Sequence, residues 1–272
     1  MTVKTLIVVP ARYASTRFPG KPLAEIAGKT MLERVTAQAA AAADAIDGGA
    51  YVVATDDERI SDHCKRIGAP AVMTDPDLPS GSDRALAAMR HVAPNCDCIV
   101  NLQGDAPFTP VNYITAVADA VGEHDCDAAT PCIQLDWSNL DTLREAKKQT
   151  PFSGTTCIAD NEGRAVWFSK AVLPSIRNEN ALRAAAELSP VLRHVGLYGF
   201  TRSALEKFNT LPPSRYEKLE GLEQLRMIEN GMIVRCVTVA PASISTPGVD
   251  TQEDLAQLNA LIAEKGDPGI VW

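Results

Sequence analysis

What this sequence lacks narrows its reading first. No stretch approaches the roughly 18 consecutive apolar residues of a membrane-spanning helix. The first residues run directly into the apolar segment TLIVVP without a signal-peptide cleavage pattern, so a cytoplasmic protein is expected. Basic residues are not in excess: 26 Lys and Arg stand against 34 Asp and Glu, a formal charge of −8. That balance excludes broad electrostatic attachment to nucleic acid or to an anionic membrane. Any anionic ligand must be met by a local cluster of cations. Internal repeats, Pro/Gly/Ser linkers and low-complexity tracts are absent, and the 272 residues are expected to fold throughout as one unit. The seven cysteines are odd in number, scattered and without a CxxC pair. Cys96 and Cys98 point to one face of a strand, and the whole set reads as small buried hydrophobes in a reducing compartment.

What is present is alternation. TLIVVP, AYVVAT, PAVMT and CIVNLQ are short apolar runs without polar alternation, and MLERVTAQAAAAADAI, DERISDHCKRI and SDRALAAMRHV lie between them as helical stretches. This order predicts βαβ units and a mostly parallel sheet with helices on both faces. Ligands of such sheets bind beyond the carboxyl ends of the strands. The rule selects Pro10 to Lys21, Thr55 to Asp57, Ser80 to Arg84, and Gln103 to Pro107. After a helix near Pro110 to Val121 the pattern loosens. AATPCI, TTCIAD and GRAVWFS are strand-like, with Asn161-Glu162-Gly163 as a hairpin turn, which predicts an antiparallel insertion. A polar stretch, Ile176 to Glu187, precedes RHVGLYGFTR; YEKLEGLEQLRMIENG then reads as a helix stopped by Asn230-Gly231. MIVRCVTV is a strand, and GVDTQEDLAQLNALIAE a final helix capped by Asp250 or Thr251.

The first strand ends in VVPARYASTRFPGKPL, where Arg12, Arg17 and Lys21 surround Gly20. A glycine lets backbone N–H groups approach a phosphate, and cations neutralise a polyphosphate that an acidic protein otherwise repels. A solvated, salt-bridged loop is the bland alternative, and the position after the first strand favours anion binding. Neither GxxxxGK[ST] nor a GxGxxG in the first turn is present, so a P-loop NTPase and a dinucleotide enzyme are both demoted. Asp105 in NLQGDAP and Asp250 in GVDTQED occupy strand-end corners. Each alone is an ordinary Asx turn or N-cap, whereas the two together with the cationic loop suit Mg²⁺-assisted attack on a nucleotide phosphate. Asp56 and Asp57 read equally as helix-start residues. Ser80, Gly81, Ser82, Asp83 and Arg84 form either a turn that holds a base and ribose or a cap on the next helix. His194 reads as structural or catalytic, and Tyr198 as core with a hydroxyl that can face a ligand.

Taken in order, PARYASTRFPGKPL, VATDDERI, SGSDR, NLQGDAP, WFSKAVLP, RHVGLYGFTR, LEGLEQLR and GVDTQEDL resemble the 3-deoxy-manno-octulosonate cytidylyltransferases, from about residue 5 to 258. The resemblance implies a Rossmann-like nucleotidyltransferase α/β fold whose residues from about 130 to 230 contribute a sugar-binding and dimerisation insertion. It implies a Mg²⁺-dependent homodimeric enzyme that joins CTP to the 2-keto sugar acid Kdo, giving CMP-Kdo and pyrophosphate for lipopolysaccharide. Carried over residue by residue, Arg12 and Lys21 match CTP-phosphate ligands, with Arg17 as a helper beside Gly20. Thr55, Ser80, Gly81 and Arg84 fall in cytidine-binding segments, and Gln103 lies beside both base and sugar. Asp105 and Asp250 match the metal-binding aspartates, and Lys170, His194, Tyr198, Glu223 and Gln224 fall in segments that line the sugar pocket.

The chain departs from the family at Ala106, where QGDEP is usual, at Lys170, where WFSR is usual, and in PFSGTTCIAD. These positions lie on the acceptor side. The alternative acceptors are therefore 8-amino-Kdo, a nonulosonic acid or another small acid, and the alternative class is a non-catalytic nucleotide-binding relative.

Overall fold

The computed structural model describes residues 3–14, 18–123, 125–242, 248–249 and 251–271. Apolar runs of the first half become the strands β1 (Thr5–Ala11), β4 (Gly49–Thr55), β5 (Ala71–Met73) and β6 (Cys98–Asn101), and a small hairpin, β2 (Glu25–Ile26) and β3 (Lys29–Thr30), precedes the first helix. Between and after them lie α1 (Met31–Ala45), α2 (Glu58–Ile67), α3 (Gly81–Val92) and α4 (Val111–Glu123). The second half supplies β7 (Ala128–Asp136), α5 (Trp137–Gln149), β8 (Thr156–Ala159), β9 (Ala165–Ser169), α6 (Glu179–Ala185), β10 (Leu188–His194), β11 (Tyr198–Thr201), α7 (Arg202–Thr210), α8 (Arg215–Glu220), α9 (Leu225–Glu229), β12 (Val234–Thr238) and α10 (Gln252–Lys265).

Ten strands share one sheet in the order β5-β4-β1-β6-β11-β7-β10-β8-β9, with β12 paired to β7. The β5, β4, β1 and β6 neighbours are parallel, as the alternation predicts. Strands β8 to β11 are antiparallel to their neighbours, and they extend the same sheet instead of building a second one. Strand β1 shows why the apolar runs lack alternation. Ile7 and Val9 join a core beneath α1 and α4 with Leu32, Val35, Ile114 and Val117. Leu6 and Val8 face the opposite core with Leu86 and Met89 of α3 and Leu205 and Phe208 of α7. Each such side chain, fully buried, contributes about 1.5–3 kcal/mol.

Two expected elements are divided in the structure. The Glu-rich helix breaks at Gly221, which takes φ 64° and separates α8 from α9. RHVGLYGFTR is one bent strand, β10 and β11, interrupted at Val195 to Leu197. The carbonyls of Val195 and Leu197 accept from the Thr130 hydroxyl at 3.2 and 2.8 Å, which ties the bend to β7. Helices α5 and α6 were not anticipated from the sequence, whereas Thr251 caps α10 with a reciprocal Asp254 capping box as expected. No helix among the described residues is long and apolar enough to cross a membrane.

The C-terminal segment is locked back onto the first helix by charge. Arg34, 4% exposed, donates to the Ile26 carbonyl and grips Asp267 with both terminal nitrogens at 2.8 and 2.9 Å. These hydrogen bonds, ahead of all other influences, hold the Asp267 carboxyl down at about 2 from an ordinary 3.8. The folded value lies below the unfolded one, so the stabilisation is full above 3.8 and is lost as pH falls through about 2. Urea unfolding of the wild type and Asp267→Asn should therefore show a stability gap near neutral pH that closes on acidification. A gap that stays constant down to that pH would assign the anchoring to something other than this charge pair.

Candidate active site

The site grows from one close approach. The turn after β6 crosses the end of β1 so tightly that a Cβ at Gly104 would lie 2.4 Å from the Pro10 carbonyl oxygen, and only glycine fits. The next side chain, Asp105, is thereby delivered beside the loop that follows β1. That loop closes on itself through Gly20 N–H donating to the Tyr13 carbonyl at 2.9 Å, with Gly20 at φ 74°. Pro22 then starts a single helical turn, Lys21–Leu23, which presents Lys21 inward. Lys21 Nζ meets Asp105 Oδ2 at 2.8 Å in a partly buried ion pair. Arg12 lies across the adjacent turn and donates to the Pro79 carbonyl at 3.1 Å.

Two cavities flank this pair. The smaller, about 260 Å³, is walled by Arg12, Lys21, Gly81, Gln103, Gly104 and Asp105. The larger, about 520 Å³, is walled by Lys170, Arg193, His194, Tyr198, Glu223 and Gln224 among others. Gln103 and Asp105 belong to both. Two ligands seated in them would meet at these two residues. The Gln103 side-chain amide makes no hydrogen bond among the described residues and is available to either ligand.

The cytidine-segment residues divide by position. Gly81 lines the small cavity, and Ser80 caps α3, its hydroxyl accepting from Asp83 N–H at 3.1 Å. Thr55 and Arg84 are fully buried and lie in neither cavity wall. The Thr55 carbonyl accepts from Thr74 N–H at 2.8 Å, and Arg84 donates to Asp56 at 2.9 Å and to the Thr74 hydroxyl. Both therefore hold the ends of β4 and β5 against α3, and the half-buried Asp56 is the counter-charge of Arg84. Asp57, the other half of that pair, caps α2. Arg17 and Asp250 lie outside the described residues.

The larger cavity carries two cations in its wall, Lys170 and Arg193. Lys147 donates from Nζ to the carbonyls of Ser153 (2.6 Å), Gly154 (2.9 Å) and Lys170 (2.6 Å), which fixes the loop at the cavity rim. Glu220 accepts from the Ser169 hydroxyl and from Lys170 N–H, both at 2.8 Å, and so sets where the Lys170 side chain begins. Burial pulls the ammonium groups of Lys147 and Lys170 and the guanidinium of Arg193 below their ordinary values. Arg193 makes no ion pair or side-chain hydrogen bond among the described residues. A half-buried guanidinium facing a cavity without an anion is a receptor for one. Sequence reasoning missed Arg193 beside His194; the available signal was a charged residue inside a strand otherwise destined for burial.

Polar groups complete the opposite wall. The bend between β10 and β11 brings His194 and Tyr198 together, with Nε2 and the phenol oxygen 2.8 Å apart. Burial, and then the charge of Lys170, push the His194 imidazole down to about 3, so it is neutral near pH 7. Burial raises the Tyr198 phenol and the Glu223 carboxyl, while the Ser82 hydroxyl donates to Glu223 at 3.3 Å. Gln224 Nε2 is buried without a partner at the cavity edge. Ala106 also lines this cavity, and its carbonyl accepts from Thr109 to close the turn.

The geometry can be set against known proteins. A family model described as cytidylyltransferase matches residues 6–236. A 3-deoxy-manno-octulosonate cytidylyltransferase of Maricaulis maris (strain MCS10) is 41% identical over 266 residues, 97% of this chain and 99% of its own. Its counterpart in Marinobacter nauticus (strain ATCC 700491 / DSM 11845 / VT8) is 38% identical over 271 residues, covering 97% and 98%. The chain belongs to the 3-deoxy-manno-octulosonate cytidylyltransferase family. A solved CMP:2-keto-3-deoxy-manno-octonic acid synthetase complexed with CTP superposes with a TM-score of 0.80 at 34% identity, covering 96% of this chain and 99% of that one. At 13% identity, a 4-diphosphocytidyl-2C-methyl-D-erythritol synthase of Anaerococcus prevotii DSM 20548 shares the fold alone, with a TM-score of 0.57 over 96% and 99%. The family's mixed α/β sheet, expected from the motifs, is the fold observed.

The position of Arg84 generates a test. Arg84→Met leaves the Asp56 carboxylate, 12% exposed, without its partner, and a loss of about 3–5 kcal/mol is expected on urea unfolding. A loss below about 1 kcal/mol, the range of exposed pairs, would show that Arg84 is free to turn toward a ligand.

Proposed function

We propose that the protein transfers CMP from CTP to the anomeric hydroxyl of Kdo, releasing pyrophosphate. The observation that carries this reading is the pair of cavities that meet at Gln103 and Asp105, one lined by the Arg12 and Lys21 cations and the other ending in the unpaired Arg193. Relatedness to enzymes named for this reaction supports it. The triphosphate lies against Arg12 and Lys21, and the cytosine and ribose lie over Gly81 and Gln103. Thr55, Ser80 and Arg84 act behind this surface by fixing the turns that carry it. Kdo enters the larger cavity with its carboxylate toward Arg193 and Lys170. Its hydroxyls meet His194, Tyr198, Glu223 and the orphaned Gln224 amide.

Asp105 offers a hard carboxylate oxygen where the two ligands meet, which fits a divalent cation, and Asp250 completes the pair in the family pattern. When bound, Mg²⁺ supplies Lewis-acid polarisation of phosphoryl oxygen and eases ionisation of a hydroxyl. The chain's own residues orient the reactants. Arg193 and Gln103 hold the acceptor so that the 2-hydroxyl oxygen forms its bond to the α-phosphorus as the bond to the pyrophosphate oxygen breaks in line. Lys21 stabilises the charge that develops on the phosphoryl oxygens. His194 is an uncharged hydrogen-bonding group in this scheme, because burial keeps it neutral and Tyr198 and Thr130 both lie against Nε2. The attacking hydroxyl gives its proton to solvent.

The test is pyrophosphate release from purified protein with CTP, Mg²⁺ and freshly prepared Kdo, the product checked by mass. Kdo-dependent release with the CMP-Kdo mass is expected; release with 8-amino-Kdo or a nonulosonic acid in its place would move the acceptor assignment. Lys21→Ala should lower kcat by about 10²–10³-fold, and near-normal turnover would overturn its role. Arg193→Met should raise the KM for Kdo by about 10- to 100-fold, the worth of a charge-assisted hydrogen bond, and leave the KM for CTP in place. An unchanged KM for Kdo would remove the carboxylate from Arg193.

A further inference from the structure

Outside both cavities, three thiols from distant parts of the chain converge. Cys132 of β7, Cys157 of β8 and Cys236 of β12 place their Sγ atoms within 4.8 Å of one another, and Cys157 and Cys236 are 3.1 Å apart. All three are buried, and they sit in one apolar cluster with Phe168 and Phe200. Packing as small hydrophobes explains why each is buried. It does not explain why three sulfurs on three strands aim at one point. Sulfurs that share one ion, each about 2.3 Å from it, lie about 4 Å apart, so the trio needs to shift by less than about 1 Å to take one.

We propose that Cys132, Cys157 and Cys236 form a three-sulfur site for one soft, low-coordination metal ion of the monovalent copper class. Among the described residues no His, Asp or Glu joins the three, so the fourth ligand of a closed zinc site is missing. Thiolate sulfur without oxygen donors selects soft ions. Binding balances as Cu⁺ plus three thiols giving a complex with two thiolates and one thiol, and two protons leave. The complex then carries a single negative charge. Among the described residues, backbone pairing between the β8 and β9 hairpin and β12 is limited to one isolated bridge, Arg164 with Arg235, and the bond from Cys236 N–H to the Gly163 carbonyl, so local separation there opens an entry path.

The bound ion cross-links β7, β8 and β12 beside the strand that carries His194. Cys132 is the register partner of His194, and Cys157 that of Leu192. An occupied site therefore stiffens the strand that carries His194, and it raises the melting temperature by mass action.

The test uses the full-length, fully reduced protein under anaerobic conditions, with Cu⁺ supplied as its bathocuproine disulfonate complex and transfer followed by loss of that complex's colour. One equivalent should move to the protein and survive in a native mass spectrum. Cys132→Ala, Cys157→Ala and Cys236→Ala should each weaken retention at least about tenfold, and Cys64→Ala and Cys96→Ala, at buried positions elsewhere, should keep it. Circular dichroism and CTP binding of every variant separate loss of the site from loss of the fold. Two outcomes overturn the proposal: no transfer to the wild type, or transfer indifferent to the three substitutions in folded protein.

Discussion

The contact on which the site depends is the crossing of two strand ends. Gly104 passes so close to the Pro10 carbonyl that no side chain fits between them. From that approach follow the placement of Asp105 against Lys21, the position of Gln103 between two cavities, and the meeting of those cavities at the two residues. Parallel pairing of β1 with both β4 and β6 makes the crossing possible, because it ends all three strands on one edge of the sheet. The helices that cover both faces leave that edge as the place where polar side chains can gather without disturbing the core.

An acidic chain that handles anionic substrates has to concentrate its positive charge. Here the concentration is achieved by burial as much as by number. Lys147, Lys170 and Arg193 lie partly out of water around one cavity, with Glu220 as the opposing carboxylate of Lys170. Removing water makes each charge more costly on its own and more attractive to a carboxylate that arrives. Lys147 meets that cost with backbone carbonyls and so becomes a brace, whereas Arg193 has no such partner and faces the cavity. The same chemistry separates Arg84 from Arg12. Both were expected at the nucleotide, but Arg84 is consumed by Asp56 behind the wall, and Arg12 remains on it.

The bend between β10 and β11 ties the halves of the protein together. One antiparallel strand lies along β7 throughout, reaching β8 with its first part and β6 with its second. Thr130 closes the bend with its hydroxyl, and the shift of register turns His194 and Tyr198 toward each other. The larger cavity thus lies on the seam between the parallel half and the antiparallel half.

The sequence by itself determined the parallel half and the grouping of Arg12, Lys21, Gln103 and Asp105 at its strand ends, where one cavity collects them. These are local matters, since apolar runs, helix caps and strand-end loops are set by residues adjacent in the chain. It also named His194, Tyr198, Glu223 and Gln224 through ordered motifs, without showing how they meet. Tertiary structure alone decided that the Glu-rich helix breaks at Gly221, that Arg84 turns inward to Asp56, that Arg193 is left without an anion, and that Cys132, Cys157 and Cys236 share one point. Each of these depends on which distant group fills the space beside a residue. A charge or a sulfur has no fixed meaning until the fold supplies, or withholds, its partner.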